Sequence, residues 1–177
     1  MSQNSQTNIQ KDFTKSQIGV IGLAVMGANL ARNLASKGFR TSIFNRTFAK
    51  TQDLLDLQKS EKEKNSQSEQ KFDNLDKEKC AELVGFQTLE EFVESLESPR
   101  KIILMVKSGI VVDEFLDKLK PLLNPEDIVM DCGNSNWKDT QRRQKDLEIN
   151  VNSTENLQNS LEVSQKPPLQ RGGNEVN

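Results

Sequence analysis

The chain has 177 residues, of which 34% are hydrophobic and 28% charged, enough for the core of one ordinary domain and too few for two full ones. Its formal net charge of −2 excludes the strong field that nucleic acid or an anionic membrane surface would select, so a small molecule is the expected partner. The chain has no histidine, which excludes imidazole acid-base chemistry, serine-histidine catalysis and histidine metal sites.

The N-terminal residues 1–16 are polar, lack the apolar segment of a secretory signal and are predicted to form a disordered tail. No stretch of the sequence approaches the roughly 18 apolar residues that a membrane-spanning helix needs. Cys80 and Cys132 have the spacing of neither a metal site nor a disulfide framework, and both are expected to be free thiols. These features predict a cytoplasmic protein that binds no membrane and no nucleic acid.

The first elements alternate between strand and helix. QIGVIG, at residues 17–22, is short, apolar and β-branched, as expected of a strand buried on both faces. From Met26 onward apolar and small residues recur at helical spacing until Gly38, which marks the end of a helix. RTSIFN then predicts a second strand, and a second helix is expected from about residue 47 to 57, with apolar positions at Leu54, Leu55 and Leu57.

A charged insertion interrupts this alternation at residues 59–79. It carries too little apolar surface to offset the entropy of ordering, and it is predicted to be solvated and mobile. LVGF resumes the pattern as a strand, and the helix after it is expected to open in a capping box, because Thr88 is followed three residues later by Glu91. RKIILMV, at residues 100–106, predicts another strand.

The last predicted elements complete an α/β pattern. A helix is expected after Ser108 and Gly109, with Phe115 and Leu119 on its apolar face, followed by the strand DIVMD and an amphipathic, highly charged helix from Trp137 to Leu147. Residues 149–177 show no periodicity and are predicted to be disordered. Five short strands alternating with helices predict a doubly wound parallel sheet in a single domain at residues 17–148.

The turn after the first strand has the pattern G-x-A-x-x-G. In a doubly wound fold this turn is the phosphate site: Gly22 would allow the tight turn, Ala24 the approach of a pyrophosphate, and Gly27 the close contact of helix and sheet. The helix N-terminus favours an anion without any charged side chain. The small residues could also do no more than allow a tight turn, but their place between a strand and a helix favours nucleotide binding.

The end of the second strand indicates which nucleotide. An NAD site places Asp or Glu there to bind the ribose 2′-hydroxyl, whereas this strand ends in Phe44, Asn45, Arg46 and Thr47, without a carboxylate. The planar guanidinium of Arg46 could pair with a 2′-phosphate and lie over the adenine. The residues therefore predict NADP, although Arg46 could also be an ordinary exposed arginine at a helix start.

These segments, IGLAVMG, FNRT, PRKIILMVKSG and DCGNSNWKDTQRR, resemble the N-terminal coenzyme domain of 6-phosphogluconate dehydrogenase from about Ile18 to Leu147. The fold implied is a Rossmann-type sheet. The glycine turn alone would equally suit a hydroxyisobutyrate-type dehydrogenase, but PRKIILMVKSG does not. The cofactor-binding residues that the resemblance implies are Gly22, Leu23, Ala24, Val25, Met26, Gly27, Asn45, Arg46, Thr47, Val106, Lys107, Ser108 and Asn134.

The resemblance also implies a reaction. Such enzymes transfer hydride from C3 of 6-phosphogluconate to NADP and release carbon dioxide, giving ribulose 5-phosphate in the pentose phosphate pathway. Asn134 would touch both nicotinamide and substrate. The lysine and glutamate that handle protons lie beyond the matched stretch in this family, as does an all-helical domain that mediates dimerisation. The chain is therefore expected to bind NADP, to contain no catalytic residue and no metal site, to be inactive alone, and not to form oligomers.

Two alternatives remain at this point: a non-catalytic nucleotide-binding module, and a gene remnant without function. Cys132 stands where the family usually has a second glycine, and Ser108 where it often has alanine. Without a histidine or a cationic neighbour, Cys132 is not expected to be an activated thiolate.

Acidic residues in the helices offer no persuasive acid-base pair. They recur at helical spacing, which is typical of a solvated face, and they include Glu90, Glu91, Glu94, Asp113 and Asp117.

Overall fold

The computed structural model describes residues 14–67 and 81–147. Most of the predicted N-terminal tail, residues 68–79 of the predicted insertion, and the predicted C-terminal tail lie outside the described residues. Cys80 lies outside them as well. The boundaries assigned to the single domain, residues 17–148, stay a prediction.

Five parallel strands form the sheet, as predicted. Their order is β3-β2-β1-β4-β5, so the chain starts in the middle and winds outward in both directions. In register, Val20 of β1 lies beside Ile43 of β2 and Ile103 of β4. The strands are β1 (Ile18–Ile21), β2 (Thr41–Phe44), β3 (Leu83–Phe86), β4 (Lys101–Leu104) and β5 (Ile128–Asp131).

Helices connect the strands at the predicted places. The capping box is confirmed, because the Glu91 N–H donates to Thr88 Oγ1 at 3.2 Å and the Thr88 N–H donates to the Glu91 carboxylate. The helices are α1 (Val25–Ser36), α2 (Phe48–Gln67), α3 (Leu89–Glu94), α4 (Ile110–Leu119) with a 3-10 turn at Lys120–Leu122, and α5 at residues 137–147.

Helix α2 is longer than predicted. It continues to Gln67, so residues 59–67 of the predicted mobile insertion are helical. Arg32 of α1 explains part of the extension, because its guanidinium donates to both carboxylate oxygens of Glu61 at 2.6 and 2.8 Å. Lys, Glu, Gln and Ser alternate in this segment, and the first three are good helix formers that need no buried face once a helix has been nucleated.

The predicted N-terminal tail also ends earlier than expected, because Ser16 belongs to the fold. Its N–H donates to the carbonyl of Ser95 at 2.8 Å, and its own carbonyl accepts the N–H of Glu97 at 3.0 Å. Ser16 is 2% exposed. A polar residue at this position escapes a search for apolar periodicity, since its backbone and not its side chain ties it to the segment after α3.

The core has two layers, one on each face of the sheet. Alternate residues of the strands point to opposite faces: Val20 and Ile43 pack with α1 and α2, whereas Ile21 and Phe44 pack with α3 and α4. Phe115 and Leu119 of α4 are buried as predicted. Of the three predicted apolar positions in α2, Leu57 is exposed. Because all five strands are parallel, their carboxyl ends lie at one edge of the sheet, and this edge carries the candidate site.

No helix in the described part of the chain is both long and apolar enough to span a membrane.

A substitution of Phe92 tests the core layer between the sheet and helices α3 and α4. Phe92 is fully buried, and its ring centroid lies 6.0 Å from that of Phe44. We expect Phe92→Ala to lower the free energy of unfolding by about 3 to 5 kcal/mol, because it leaves a cavity between α3 and the sheet. Urea denaturation followed by circular dichroism measures this. The matched control is Phe39→Ala, at a side chain that is 46% exposed; an equal loss in both variants would contradict the assignment of this core.

Candidate functional site

The turn from β1 to α1 depends on the absence of two side chains. Gly22 has φ +96°, and a Cβ there would lie 2.5 Å from the carbonyl oxygen of Met105. A Cβ on Gly27 would overlap the carbonyl oxygen of Gly22. In both cases the nearest atom is a backbone oxygen, which cannot move aside as a flexible side chain can. The two glycines therefore allow the first turn of α1 to lie directly against the end of β1.

Helix α1 begins with free amide groups. Its first hydrogen bond runs from the Ala28 N–H to the carbonyl of Ala24 at 2.9 Å, so the N–H groups of residues 25–27 precede the helical ladder. Ala24, the residue before the helix, provides no side-chain cap, and the first turn contains no acidic residue. Val25 and Met26 are 76% and 70% exposed. This end of the helix is therefore open to an anion from solvent.

Asn45 holds the turn in place. Its Oδ1 accepts the N–H of Leu23 at 3.1 Å, and its Nδ2 donates to the carbonyl of Thr47 at 3.0 Å. The N–H of Gly22 donates to the carbonyl of Phe44 at 2.9 Å. Both polar atoms of the Asn45 amide are thus used within the protein, so this residue shapes the site through the backbone that it anchors.

Arg46 and Thr47 follow β2 and are exposed at the same edge. The Arg46 side chain is 71% exposed, and its Nη1 lies 3.6 Å from a carboxylate oxygen of Glu114 on α4. An ion pair this exposed contributes little to stability. The guanidinium can therefore turn toward a phosphate at small cost.

The loops after β4 and β5 form the other half of the edge. Val106, Lys107 and Ser108 follow β4, and Asn134 follows β5. The loops approach closely, since a Cβ on Gly133 would lie 2.9 Å from the carbonyl oxygen of Val106. Lys107 and Asn134 are exposed, whereas Val106 and Ser108 are half-buried. The structure thus brings all the residues predicted for the site to one edge of the sheet.

A buried arginine lies between these loops and was not among the residues predicted from the sequence. Arg143 of α5 is 4% exposed. Its Nε and Nη2 donate to the two carboxylate oxygens of Asp113 at 2.8 and 3.1 Å. These hydrogen bonds lower the pKa of Asp113 to about 2, because they stabilise its ionised form. The prediction that Asp113 belongs to a solvated helix face is therefore wrong.

A sequence signal for this arginine does exist. Leu147 packs against the core, and Arg143 lies four residues before it, so both lie on the inward face of α5. An arginine on the inward face of a helix implies a buried acceptor. Its partner on α4 could not be chosen from the sequence, because Asp113 and Asp117 both recur at helical spacing.

Cys132 is a free and exposed thiol, as predicted. Within residues 14–67 and 81–147, no group of three acidic or cysteine side chains is placed to hold a metal ion.

A parallel sheet wound outward from its middle strand, with a glycine turn that opens a helix at the central strand's carboxyl end, defines the class of Rossmann-type domains.

Comparison with known proteins identifies the family within this class. The family model for the NAD binding domain of 6-phosphogluconate dehydrogenase matches residues 17–151. The chain therefore belongs to that family. This match favours 6-phosphogluconate dehydrogenase over the hydroxyisobutyrate-type alternative.

Individual relatives agree with the family model. The chain is 47% identical over 135 residues to the NADP(+)-dependent, decarboxylating 6-phosphogluconate dehydrogenase of Bacillus subtilis, covering 76% of this chain and 24% of that protein. It is 43% identical over 135 residues to the decarboxylating enzyme of Escherichia coli, covering 76% of this chain and 25% of that protein. The chain thus spans about a quarter of the length of these curated relatives.

A solved structure shows the same likeness. The chain resembles 6-phosphogluconate dehydrogenase of Plasmodium falciparum, whose structures include complexes with the cofactor NADP+ and with the substrate 6-phosphogluconate. The TM-score is 0.61 at 35% sequence identity, over 76% of this chain and 25% of that one.

Gly27 tests the contact between α1 and β1. We expect Gly27→Ala to lower the free energy of unfolding by about 1 to 3 kcal/mol, because the new methyl group must push the helix away from the Gly22 carbonyl. Thermal and urea denaturation measure the change. Asn29→Ala, at an exposed position of the same helix, is the control and should stay within about 0.5 kcal/mol of the wild type. A Gly27→Ala variant as stable as the control would contradict the close contact.

Asp113 provides a test in pH. Because its pKa is lower in the folded than in the unfolded chain, ionised Asp113 stabilises the fold above pH 3.8, and this contribution is lost as the pH falls toward 2. Asp113→Asn cannot titrate. We expect the stability difference between wild type and Asp113→Asn to shrink over that range, by up to about 2 kcal/mol. Urea denaturation at a series of pH values measures it, and a constant difference would show that Asp113 is not held by Arg143.

Proposed function

We propose that this chain binds NADP along the carboxyl edge of its sheet and serves as the coenzyme-binding part of a decarboxylating 6-phosphogluconate dehydrogenase. The observation that carries the proposal is the glycine turn. There the N–H groups of residues 25–27 precede the first hydrogen bond of α1, and in the described structure neither a side-chain cap from Ala24 nor an acidic residue in the first turn competes for them. Such an end binds the pyrophosphate of a dinucleotide.

The strand order supports an orientation for the dinucleotide. With the pyrophosphate at the end of β1, the adenosine half would lie over β2, and the nicotinamide half over β4 and β5. Residues 22–27 would hold the pyrophosphate. Arg46 and Thr47 would meet the adenosine half, while Val106, Lys107, Ser108 and Asn134 would line the nicotinamide half.

The choice of NADP over NAD rests on the end of β2. No carboxylate follows Phe44 there to accept a ribose 2′-hydroxyl, and Arg46 is exposed with only a weak contact to Glu114. A guanidinium forms paired hydrogen bonds with a phosphate. The Bacillus subtilis relative is described as NADP(+)-dependent, and the Plasmodium falciparum enzyme has been solved with NADP+.

The reaction proposed for the whole enzyme is the oxidative decarboxylation of 6-phosphogluconate to ribulose 5-phosphate. NADP would accept the hydride, and the residues of this chain would bind and orient it, with Asn134 also within reach of the substrate. We propose no proton donor or acceptor for the reaction among residues 14–67 and 81–147. The chain alone is therefore expected to bind the cofactor without turnover. The proposed enzyme would act in the cytoplasm, as a step of the pentose phosphate pathway.

Calorimetric titration of the purified chain with NADP and with NAD tests the proposal. Saturable binding that prefers NADP is expected. A folded sample that binds neither would refute it and would favour a gene remnant without function. Binding that prefers NAD would refute the proposed preference for NADP but would still support a dinucleotide-binding site.

Arg46 tests the preference for NADP. We expect Arg46→Ala to weaken NADP binding by about tenfold or more, as for the loss of a charged hydrogen bond, and to change NAD binding much less. Arg40→Ala is the matched control, because it removes the same charge from the opposite end of β2, where Arg40 pairs with Glu82 at 2.8 Å. An equal loss of NADP and NAD affinity in Arg46→Ala would contradict the assignment of the 2′-phosphate.

A further inference from the structure

Arg143 lies beneath the nicotinamide half of the proposed site. It belongs to α5, which follows the β5 loop, and its guanidinium reaches between that loop and the start of α4. The side chain is 5% exposed, so a bound ligand would not touch it. Its hydrogen bonds fall into two groups, one on each side of the gap between the loops.

On one side Arg143 holds the loop after β4. Its Nη2 donates to the carbonyl of Gly109 at 3.0 Å, and two of its nitrogens donate to the carboxylate of Asp113, one turn into α4. Gly109 has φ +91° and directly follows Ser108. The position of Lys107 and Ser108 therefore depends on a carbonyl that Arg143 holds.

On the other side Arg143 holds the loop after β5. Its Nη1 lies 3.4 Å from Oδ2 of Asp131 and 3.5 Å from Oγ of Ser135. The second carboxylate oxygen of Asp131 accepts the N–H of Gly133 at 3.1 Å. Asn134 thus lies between two residues that are tied, directly or through Asp131, to the same guanidinium.

We propose that Arg143 is a positioning residue that sets the distance between Ser108 and Asn134, and so the width of the nicotinamide half of the site. This inference rests on the proposed NADP function. Arg143 acts through the two loops and does not contact the cofactor.

The chemistry of the guanidinium fits this role. A planar group with five donors can serve acceptors from α4, β5 and both loops at once, whereas a lysine ammonium has three donors at a single point. Neighbouring Arg142 also donates to Asp113, at 2.9 Å, but its side chain is 50% exposed and its other ion pairs are with Asp139 and Asp146 on its own helix. Among residues 14–67 and 81–147, Arg142 forms ion pairs on one side of the gap only, and it is therefore a matched control.

Two probes in calorimetric titration test the proposal: NADP, and adenosine 2′,5′-bisphosphate, which lacks the nicotinamide half. We expect Arg143→Lys to weaken NADP binding about tenfold, equivalent to one or two lost hydrogen bonds, and to leave the bisphosphate affinity unchanged. Retained bisphosphate binding shows that the variant is folded. Arg142→Lys should leave both affinities unchanged. Equal losses for both probes in Arg143→Lys, or no loss for either, would overturn the positioning role.

A second variant and a second readout keep the test independent of cofactor binding. Asp131→Asn keeps the shape and the acceptor for Gly133 but removes the charge that faces Arg143. In the unliganded protein, we expect both Asp131→Asn and Arg143→Lys to speed amide hydrogen exchange in residues 107–109 and 133–136 about tenfold, and not in residues 22–27. If the wild type binds no NADP, the proposed function fails, and unchanged exchange in the two loops would separately refute the positioning role.

Discussion

The close approach of α1 to β1 at Gly27 is the constraint on which the rest of the structure depends. Because a Cβ there would overlap the Gly22 carbonyl, only glycine lets the helix begin so near the sheet. That proximity buries Leu23 and Ala31 in the layer shared with α2. It also leaves the first amides of the helix directly above the strand end. The packing of the core and the shape of the anion site thus follow from the same contact.

The two halves of the carboxyl edge are held by different interactions. Near β2 the turn is fixed by the backbone hydrogen bond from Gly22 to Phe44 and by the Asn45 amide, which joins the turns that follow β1 and β2. Near β4 and β5 the backbone hydrogen bonds continue only as far as Met105 and Cys132 in the described structure. Beyond them the buried guanidinium of Arg143 joins the two loops, through Gly109 and Asp113 on one side and Asp131 and Ser135 on the other. Any arrangement of the loops that moved the carboxylates away from Arg143 would leave its buried charge uncompensated. Such arrangements are therefore strongly disfavoured. In this half of the edge a buried charge therefore adds to the apolar packing of residues such as Val106.

The sheet itself explains why the site has this composition. Both faces are covered by apolar layers, so polar groups that must meet a ligand are confined to the ends of strands and the turns after them. Apolar residues exposed at the starts of helices, such as Val25, Ile110 and Trp137, lie at this same edge. The relatives, of which the match covers about a quarter, share the part that builds the edge.

The strands, the glycine turn and the family resemblance could be predicted from the sequence, because apolar runs, glycine spacing and local motifs such as the Thr88 capping box are properties of neighbouring residues. The sequence also indicated Arg46 through the missing carboxylate at the end of β2. The length of α2, the pairing of Ser16 with the segment after α3, and the contact of half-buried Asp113 with Arg143 became visible only in the folded chain. Each of these depends on a partner distant in sequence, and periodicity along one helix cannot show which charge meets another across the fold.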